Sequence, residues 1–528
     1  MQVKSICIVG GGSSGWMAAA AIAKNLPDIQ LTVIEPSDIP TVGVGESTLG
    51  HINRYLQCIG LEGRDKDWMP YCQASYKVSI QFTDFKEKGH VFQYPFGKFD
   101  YSNDKNPESW SYIKNLFPEF DQSYSEFYNP ITYLASTNKM ITNNDIVRNF
   151  NFNNDTAYHF DAQKFGEWLK NNICIPNGVK VIRDSIQEVV LNEDGEIELL
   201  ISKLNPMMKL KFDLYIDCTG FKSMLLEQKM GSKFISFNDV LLNDTAIATR
   251  IPYEDKEKEL TNTTDCCALK NGWVWNIPLW SRIGTGYCYS SKFTTKEEAE
   301  KEFRQHIAKT GSKKRAEEFE FFTVNIRHGK RERAWVKNCI GIGLSYGFLE
   351  PLESTGLLTT HENILRLVDT LQKRNGYVTK LDRDGYNHAV DYDLESMKDF
   401  IVMHYVLSRR DDSEYWRYIK YEMDVIPSEM LNNRVVTSPR LYREFLFDSY
   451  RSHTFSGLEG TLYIAHGMDY LPIGKTQTEF RFSNNQHYSK KWLEDVKIYQ
   501  ERYKNQVLKY LETAPTTFEF LRDNIYND

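Results

Sequence analysis

The chain has 528 residues, with 64 Lys plus Arg against 71 Asp plus Glu and a formal net charge of −7 at pH 7. At roughly 150 residues per domain, this length predicts three or four domain-sized units, or one large α/β body with an extension, and leaves room for a core that encloses a cofactor. The charge balance excludes a nucleic-acid footprint and a polybasic membrane patch, and the 13% aromatic content argues against disorder and for aromatic-walled cavities.

Nine cysteines, an odd number, are scattered with no CxxC spacing and no paired histidines, so a reduced, cytoplasmic protein without a metal site is expected. The vicinal Cys266-Cys267 reads as two small residues rather than a redox site. No run of 18 apolar residues occurs, and the chain enters a strand without a basic leader; neither membrane spanning nor secretion is expected.

In chain order, Val3 to Val9 reads as a strand, Gly10-Gly11-Gly12-Ser13-Ser14-Gly15 as a glycine turn, and the Ala-rich Trp16 to Lys24 as a helix. A second apolar run, Leu31 to Ile34, ends at Glu35, twenty residues after Gly15. Each residue has a physical task in dinucleotide binding: Gly10 makes the tight turn, Gly12 lets a pyrophosphate approach the backbone, Gly15 permits close helix packing, and Glu35 can hold ribose hydroxyls. Gly11 to Gly15 also satisfies GxSxG, but a hydrolase elbow follows several strands, and only ten residues precede this one.

Further on, Asp161 is a plausible N-cap for a helix through Phe165 and Leu169. Strands are predicted at Val179–Ile182, Ile186–Leu191, Ile197–Ile201 and Phe212–Ile216, with a hairpin turn at Asp194-Gly195. A charged helix with capping boxes at Thr294/Glu297 and Thr295/Glu298 runs to Gly311. The strand Asn338–Gly343 leads into Gly347 to Gly356 and a helix to about Leu371. Beyond about residue 390 the spacing is largely helical, which divides the chain into a body, 1–390, and a C-terminal subdomain, 391–528.

Five segments together resemble the flavin-dependent tryptophan-halogenase family: Gly10 to Gly15, Gly43-Val44-Gly45-Glu46-Ser47-Thr48, Asp213 to Phe221 with Asp217, Trp273-Val274-Trp275-Asn276-Ile277-Pro278, and Glu350 to Gly356. The resemblance implies an α/β fold with α+β elaboration: a Rossmann-like FAD-binding body carrying an antiparallel sheet, as in flavin monooxygenases, with the helical subdomain covering the substrate site. It implies a two-component enzyme to which a separate flavin reductase supplies reduced FAD. Oxygen then gives a flavin hydroperoxide, halide attacks it, and hypohalous acid travels to an electron-rich aromatic substrate of indole or phenol type.

The same resemblance distributes roles among the residues. FAD is held by Gly10, Gly12, Ser13, Ser14, Gly15, Glu35, Gly45, Glu46, Ser47, Asp217 and Gly343. Lys77 receives the hypohalous acid, either donating a hydrogen bond to it or forming a haloamine. Glu353, with Ser354, takes part in activating the electrophile or removes the ring proton. Thr355 and Gly356 open a helix where free N–H groups would stabilise chloride, bromide or another halide. Trp273 and Trp275 separate substrate from flavin. Bromide, easier to oxidise, should be accepted at least as well as chloride.

Local pattern alone reads Lys77 differently, because Tyr76, Val78, Ile80 and Phe82 alternate with Lys77, Ser79 and Gln81 and so turn the lysine away from the apolar side, toward solvent. Free tryptophan is not expected to be the preferred substrate. After residue 400 the chain has neither Tyr-Tyr nor Phe-Trp-Asn, the family's amino-acid clamp, and the comparable region is Tyr442 to Tyr470, with His453, Phe455, Tyr463 and His466. Gly457, Gly460 and Gly467 there read as turn glycines or as a lid. A flavin-dependent aromatic hydroxylase of the same fold and a non-catalytic FAD-binding protein are the alternatives; a homo-oligomer is compatible with the sequence.

Overall fold

The computed structural model describes residues 1–36, 45–100, 109–142, 146–423, 457–469 and 490–527. They form two compact units, each assembled from three stretches of chain: 1–74, 158–244 and 324–395 in the first, and 75–157, 245–323 and the described residues from 396 onward in the second.

The first unit is built on a sheet in the order Trp335–Val336, Cys339–Gly341, Leu214–Asp217, Ser5–Val9, Gln30–Glu35, Lys180–Arg183, parallel except for the outer Trp335–Val336. Its strands are apolar runs rather than alternating ones because both faces are covered. On one face lies the helix Ser13–Asn25, whose buried Ala18 to Ala21 let it approach the helices Ala162–Leu169 and Thr355–Lys373 closely. On the other, Cys7, Val9 and Ile34 meet Val189, Ile197 and Leu200 of a separate antiparallel sheet formed by Ile186–Leu191, Ile197–Ser202 and Lys209–Leu210. The strand order reverses between Ser5–Val9 and Leu214–Asp217, which opens a crevice at their carboxyl ends, where open α/β sheets bind ligands. The sequence-predicted strands lie within a residue or two of their expected positions, and Asp161 caps its helix by accepting from Lys164 N at 3.2 Å.

The second unit carries a sheet in which Thr245–Ile251, Ile283–Tyr289, Gly272–Pro278, Thr263–Ala268, Ser79–Thr83 and Val91–Pro95 lie side by side, antiparallel except between Thr263–Ala268 and Ser79–Thr83. The helix Lys296–Thr310 packs Ala299, Phe303 and Ile307 on Ile247, Val274 and Tyr287. Only one of its two predicted capping boxes forms, Thr295 with Glu298; Thr294 falls one residue ahead of the N-cap, and its hydroxyl turns to the Glu298 carboxylate at 3.3 Å.

The described residues beyond 396 are helical, including Glu414–Tyr421, Gly457–Gly467, Lys490–Leu511 and Thr517–Leu521. Gly460 and Gly467 lie within a helix and not at a hinge. A side chain at Gly467 would come within 2.2 Å of Phe92, so its smallness serves close packing rather than a lid. All nine cysteines are free, and among the described residues no helix is long and apolar enough to cross a membrane and no group of three His, Cys, Asp or Glu could hold a metal.

Aromatic rings fill the core around the helix Gly457–Gly467. His466 stacks on Tyr124 at 3.9 Å and 14°, and burial pulls its pKa from 6.5 down to about 3, against a weaker opposing pull from Asp469. A base with a depressed folded pKa contributes stability that is full above the unfolded value of 6.5 and is lost as pH falls toward the folded one. Replacing His466 by Phe keeps the stack and removes the titration. Thermal unfolding at pH 7.5 and pH 5 should therefore show a smaller acid-induced drop in Tm for His466→Phe than for the unaltered protein; equal drops would contradict this assignment.

Candidate active site

In the first unit the glycine turn sits at the mouth of the crevice. Gly10 has φ +118°, and a Cβ there would lie 2.2 Å from the Cys218 carbonyl oxygen; one at Gly15 would lie 2.0 Å from the Gly10 carbonyl oxygen. Gly12 differs, because a Cβ there would meet nothing within 4 Å. It is the N-cap of the helix Ser13–Asn25, which has no side-chain cap, so the helix N-terminus faces open space. Gly343, at φ +66°, presses on the same turn: a Cβ would be 2.4 Å from Ser14 Oγ. An uncapped helix start, an open glycine and an acidic residue at the end of the second strand fit a dinucleotide cofactor.

Several predicted contacts carry internal duties as well. Ser13 Oγ donates to the Ala162 carbonyl at 3.0 Å. Glu35 is ion-paired through Oε1 with Lys170, and its side chain lies so close to Gly11 that a Cβ there would stand 2.4 Å from its own. Asp217 has the largest such duty. Its fully buried carboxylate accepts from Thr219 N (2.9 Å), Thr219 Oγ1 (2.6 Å), Leu225 N (2.7 Å), Leu226 N (2.8 Å) and Ser345 Oγ (3.0 Å). A carboxylate so supplied by donors of its own chain fixes the turn at the mouth of the crevice.

Gly45, Glu46 and Ser47 enter the same unit as a short strand opposite Phe160 and His159; Gly43 and Val44 lie outside the described residues. Burial raises the Glu46 pKa from 4.5 to about 7, with the Asp161 charge adding to the shift. Ser47 Oγ accepts from Ser354 Oγ at 3.0 Å, a contact across 307 residues that no local pattern announces.

The turn Glu350 to Gly356 is buried throughout its carboxylates, Glu350 and Glu353 both having 0% exposure. Ser354 adopts φ +57°, a left-handed conformation that costs a non-glycine residue on the order of 1 kcal/mol and is concentrated at functional sites. It is also the N-cap of the 19-residue helix Thr355–Lys373, yet no side chain caps that helix. Thr355 Oγ1 donates instead to the Glu350 carbonyl at 3.1 Å, and Asn243 Nδ2 to Glu350 Oε2 at 2.8 Å.

The second unit holds Lys77 with Trp273 and Trp275. Lys77 has 0% exposure, and its ammonium lies 4.9 Å from the centroid of the Phe96 ring. This overturns the solvent-facing reading. Both faces of this stretch are covered, Tyr76, Lys77, Val78, Ser79 and Ile80 all being buried, and the ladder runs on through Val78, whose N donates to Asn262 O and whose carbonyl accepts from Phe96 N. Trp273 and Trp275 project from one face of their strand, both buried, with ring centroids 6.0 Å apart. Gly286, opposite Trp275 in register, leaves room for the indole, since a Cβ there would be 2.3 Å from that ring. Gly284-Thr285-Gly286 in the adjacent strand was the legible but unread signal for this platform.

A dinucleotide crevice with a strained turn in one unit, and a buried lysine with paired tryptophans in the other, fit the class of flavin-dependent halogenases. Comparison with known proteins agrees. The pattern of the tryptophan halogenase family matches residues 5–472. The 7-chloro-L-tryptophan 6-halogenase KtzR of Kutzneria sp. (strain 744) is 33% identical over 436 residues, which cover 78% of this chain and 81% of that protein. Among solved structures, the VirX1 apo structure superposes with a TM-score of 0.90 at 44% identity, covering 99% of this chain and 100% of that one. The tryptophan 6-halogenase SttH of Streptomyces toxytricini does so with a TM-score of 0.83 at 29% identity, covering 98% and 99%. The chain belongs to the tryptophan halogenase family. It is an enzyme, a flavin-dependent halogenase of an aromatic substrate.

The two turn glycines should separate experimentally. Gly10→Ala places a side chain on the Cys218 carbonyl and should lower Tm by several degrees, on the order of the strain expected there. Gly12→Ala meets no protein atom and should leave Tm nearly unchanged while weakening FAD binding about tenfold or more, because its methyl occupies the cradle. Titration of FAD into both variants, beside thermal melts, checks the pair; unaltered FAD affinity in Gly12→Ala would remove this turn from the site.

Proposed function

We propose that this enzyme halogenates indole- or phenol-type aromatics with FAD reduced in trans by a separate flavin reductase, and that Lys77 delivers the electrophile. The observation that carries the reading is the complete burial of the Lys77 ammonium, against the strand pattern and beside an aromatic ring, in the unit that holds the tryptophan pair. A charge withdrawn from water in this way is retained where it has work to do.

FAD would be held by Gly10, Gly12, Ser14, Gly15 and Gly343 around the glycine turn, with Gly45 to Ser47 and Glu35 contributing. When bound, FAD reduced in trans would activate oxygen, and that oxygen is the oxidant that would turn halide into hypohalous acid. The open N-terminus of the helix Thr355–Lys373 seats the halide at Thr355 and Gly356, since its amides receive no side-chain cap and the dipole favours an anion. Trp273 and Trp275 exclude the arene from direct contact with the cofactor. Lys77 donates to the hypohalous oxygen, the arene attacks the halogen, and the oxygen leaves as water with one proton. Glu353 accepts the ring proton, which restores aromaticity. Chloride and bromide are both substrates, and the enzyme works in the cytoplasm.

Simple aromatics are favoured over free tryptophan. Of the region comparable to the amino-acid clamp, Tyr463 and His466 are described; Tyr442, His453, Phe455 and Tyr470 lie outside the described residues. Tyr463 packs among Tyr94, Phe99 and Tyr124, and His466 is neutral at pH 7. Neither supplies a charge for a substrate carboxylate, and a zwitterion that loses hydration without a partner pays several kcal/mol, on the order of ~3.

With reductase, NADH and bromide, brominated product is read from the isotope doublet in mass spectra. Lys77→Ala should abolish it while leaving FAD affinity intact, and Glu353→Gln should slow it roughly 10²–10⁴-fold. Near-full yield from Lys77→Ala would remove the lysine from the mechanism. In competition under one halide, a simple indole or phenol should show a higher kcat/KM than free tryptophan; a clear preference for tryptophan would mean that the clamp is rebuilt from other residues.

A further inference from the structure

Lys77 is held through both of its neighbours in the chain, and both holds lead to one distant segment. Tyr76, 2% exposed, meets the Phe520 ring edge-on at 5.9 Å, with Phe152 completing the cluster at 5.1 Å from Tyr76. On the other side, Val78 N donates to the Asn262 carbonyl at 2.8 Å. Asn262 N in turn donates to Asn138 Oδ1 at 3.2 Å, and the same oxygen accepts from Thr517 Oγ1 at 2.6 Å. Asn138 stands at φ +51°, a conformation asparagine tolerates, and its own carbonyl receives Thr517 N at 3.0 Å. Thr517 and Phe520 belong to one short helix, whose start is fixed by a capping box between Thr516 and Glu519.

The strand with the tryptophan pair is held from the same place. It ends at Pro278, whose carbonyl accepts from Ser75 Oγ at 2.6 Å, and turns through Trp280. The Trp280 ring stacks on Tyr526 at 4.0 Å and 7° and lies parallel to Phe518 at 5.6 Å, with the Lys256 ammonium 3.2 Å from its centroid. Ring stacks of this kind contribute about 0.5–1.5 kcal/mol each beyond the area they bury. Residues 516–526 therefore touch the chain immediately before Lys77, immediately after it by relay, and just beyond Trp275.

We propose that the segment Thr516–Tyr526 is the positioning element for halogen transfer, setting Lys77 and the Trp273/Trp275 platform in one fixed geometry. The inference rests on the role of Lys77 given above. None of its residues touches the reacting atoms. Their effect is on where the ammonium stands, and a displacement near 1 Å of a reacting group costs about 10²-fold in rate. A lysine held loosely still meets hypohalous acid but no longer transfers halogen before the acid escapes.

The test measures partition rather than activity. With reductase-supplied FAD and bromide, brominated arene and free hypobromous acid captured by a 1,3-diketone scavenger are quantified together for Thr517→Val, Thr517→Ser, Phe520→Ala and Lys77→Ala. Thr517→Val, which loses the hydroxyl and keeps the shape, should lower the ratio of arene product to free acid about tenfold, with FAD affinity and substrate KM unchanged. Thr517→Ser should restore the ratio, and Phe520→Ala should lower it. A merely structural role would reduce both products in proportion and leave the ratio where it was. Should Phe520→Ala not fold, Thr517→Val decides. An unchanged ratio in Thr517→Val while Lys77→Ala loses arene product overturns the positioning role alone, whereas Lys77→Ala with full arene yield overturns the reading of the site beneath it.

Discussion

The cofactor crevice depends on one buried carboxylate. Asp217 ends the strand that pairs with Ser5–Val9, has no exposure, and collects five hydrogen bonds from three parts of the first unit: its own turn at Thr219, the amides of Leu225 and Leu226, and Ser345. A buried charge is tolerable only when its acceptor sites are filled, and filling them fixes the path of residues 217–226 and brings residue 345 to the crevice. Gly343 is thereby pressed against Ser14, and the Cys218 carbonyl against Gly10. The open space at Gly12 is what remains when these close approaches are satisfied.

The first strand, turn, helix and acidic residue were legible because their meaning lies in spacing over about thirty residues, and each glycine there answers to a local steric demand. The tryptophan strand was legible for a similar reason, since two tryptophans two apart must share a face. Lys77 shows where a period misleads. The alternation from Tyr76 to Phe82 holds and the ladder runs on through Val78 to Asn262 and Phe96, but both faces of the stretch are covered, with Lys77 and Ser79 buried like Tyr76 and Ile80, so the polar side is interior too. Asp217 shows a second limit, because a carboxylate that binds a ligand and one that organises a loop look alike until their donors can be counted. The contacts Ser354–Ser47 and Thr517–Asn138–Asn262 join residues hundreds apart through side chains with no periodic signature, so they were not legible at all.

The turn from Glu350 to Gly356 gathers costs that an ordinary helix start avoids. A left-handed Ser354 costs on the order of 1 kcal/mol, and forgoing a side-chain cap costs about another. Two carboxylates at 0% exposure add their desolvation. Against these stand the hydrogen bonds from Asn243 to Glu350, from Thr355 to the Glu350 carbonyl and between Ser354 and Ser47, together with the apolar side of a 19-residue helix buried through Leu357, Leu358, Ile364, Leu367 and Leu371. Long helices can carry a frustrated first turn because cooperativity spreads its cost over many residues.

That frustration has a chemical consequence in the proposed mechanism. The Ser354 side chain does not take the place of a cap on the first amides of this helix, so the proposed halide would arrive there without displacing a hydrogen bond from its N-cap side chain. Glycine at Ser354 would relax the backbone but remove the hydroxyl that reaches Ser47, one of the residues proposed to hold FAD. The strained serine therefore couples two demands that a relaxed turn would separate: amides open to an anion and a fixed link to the cofactor side of the same unit.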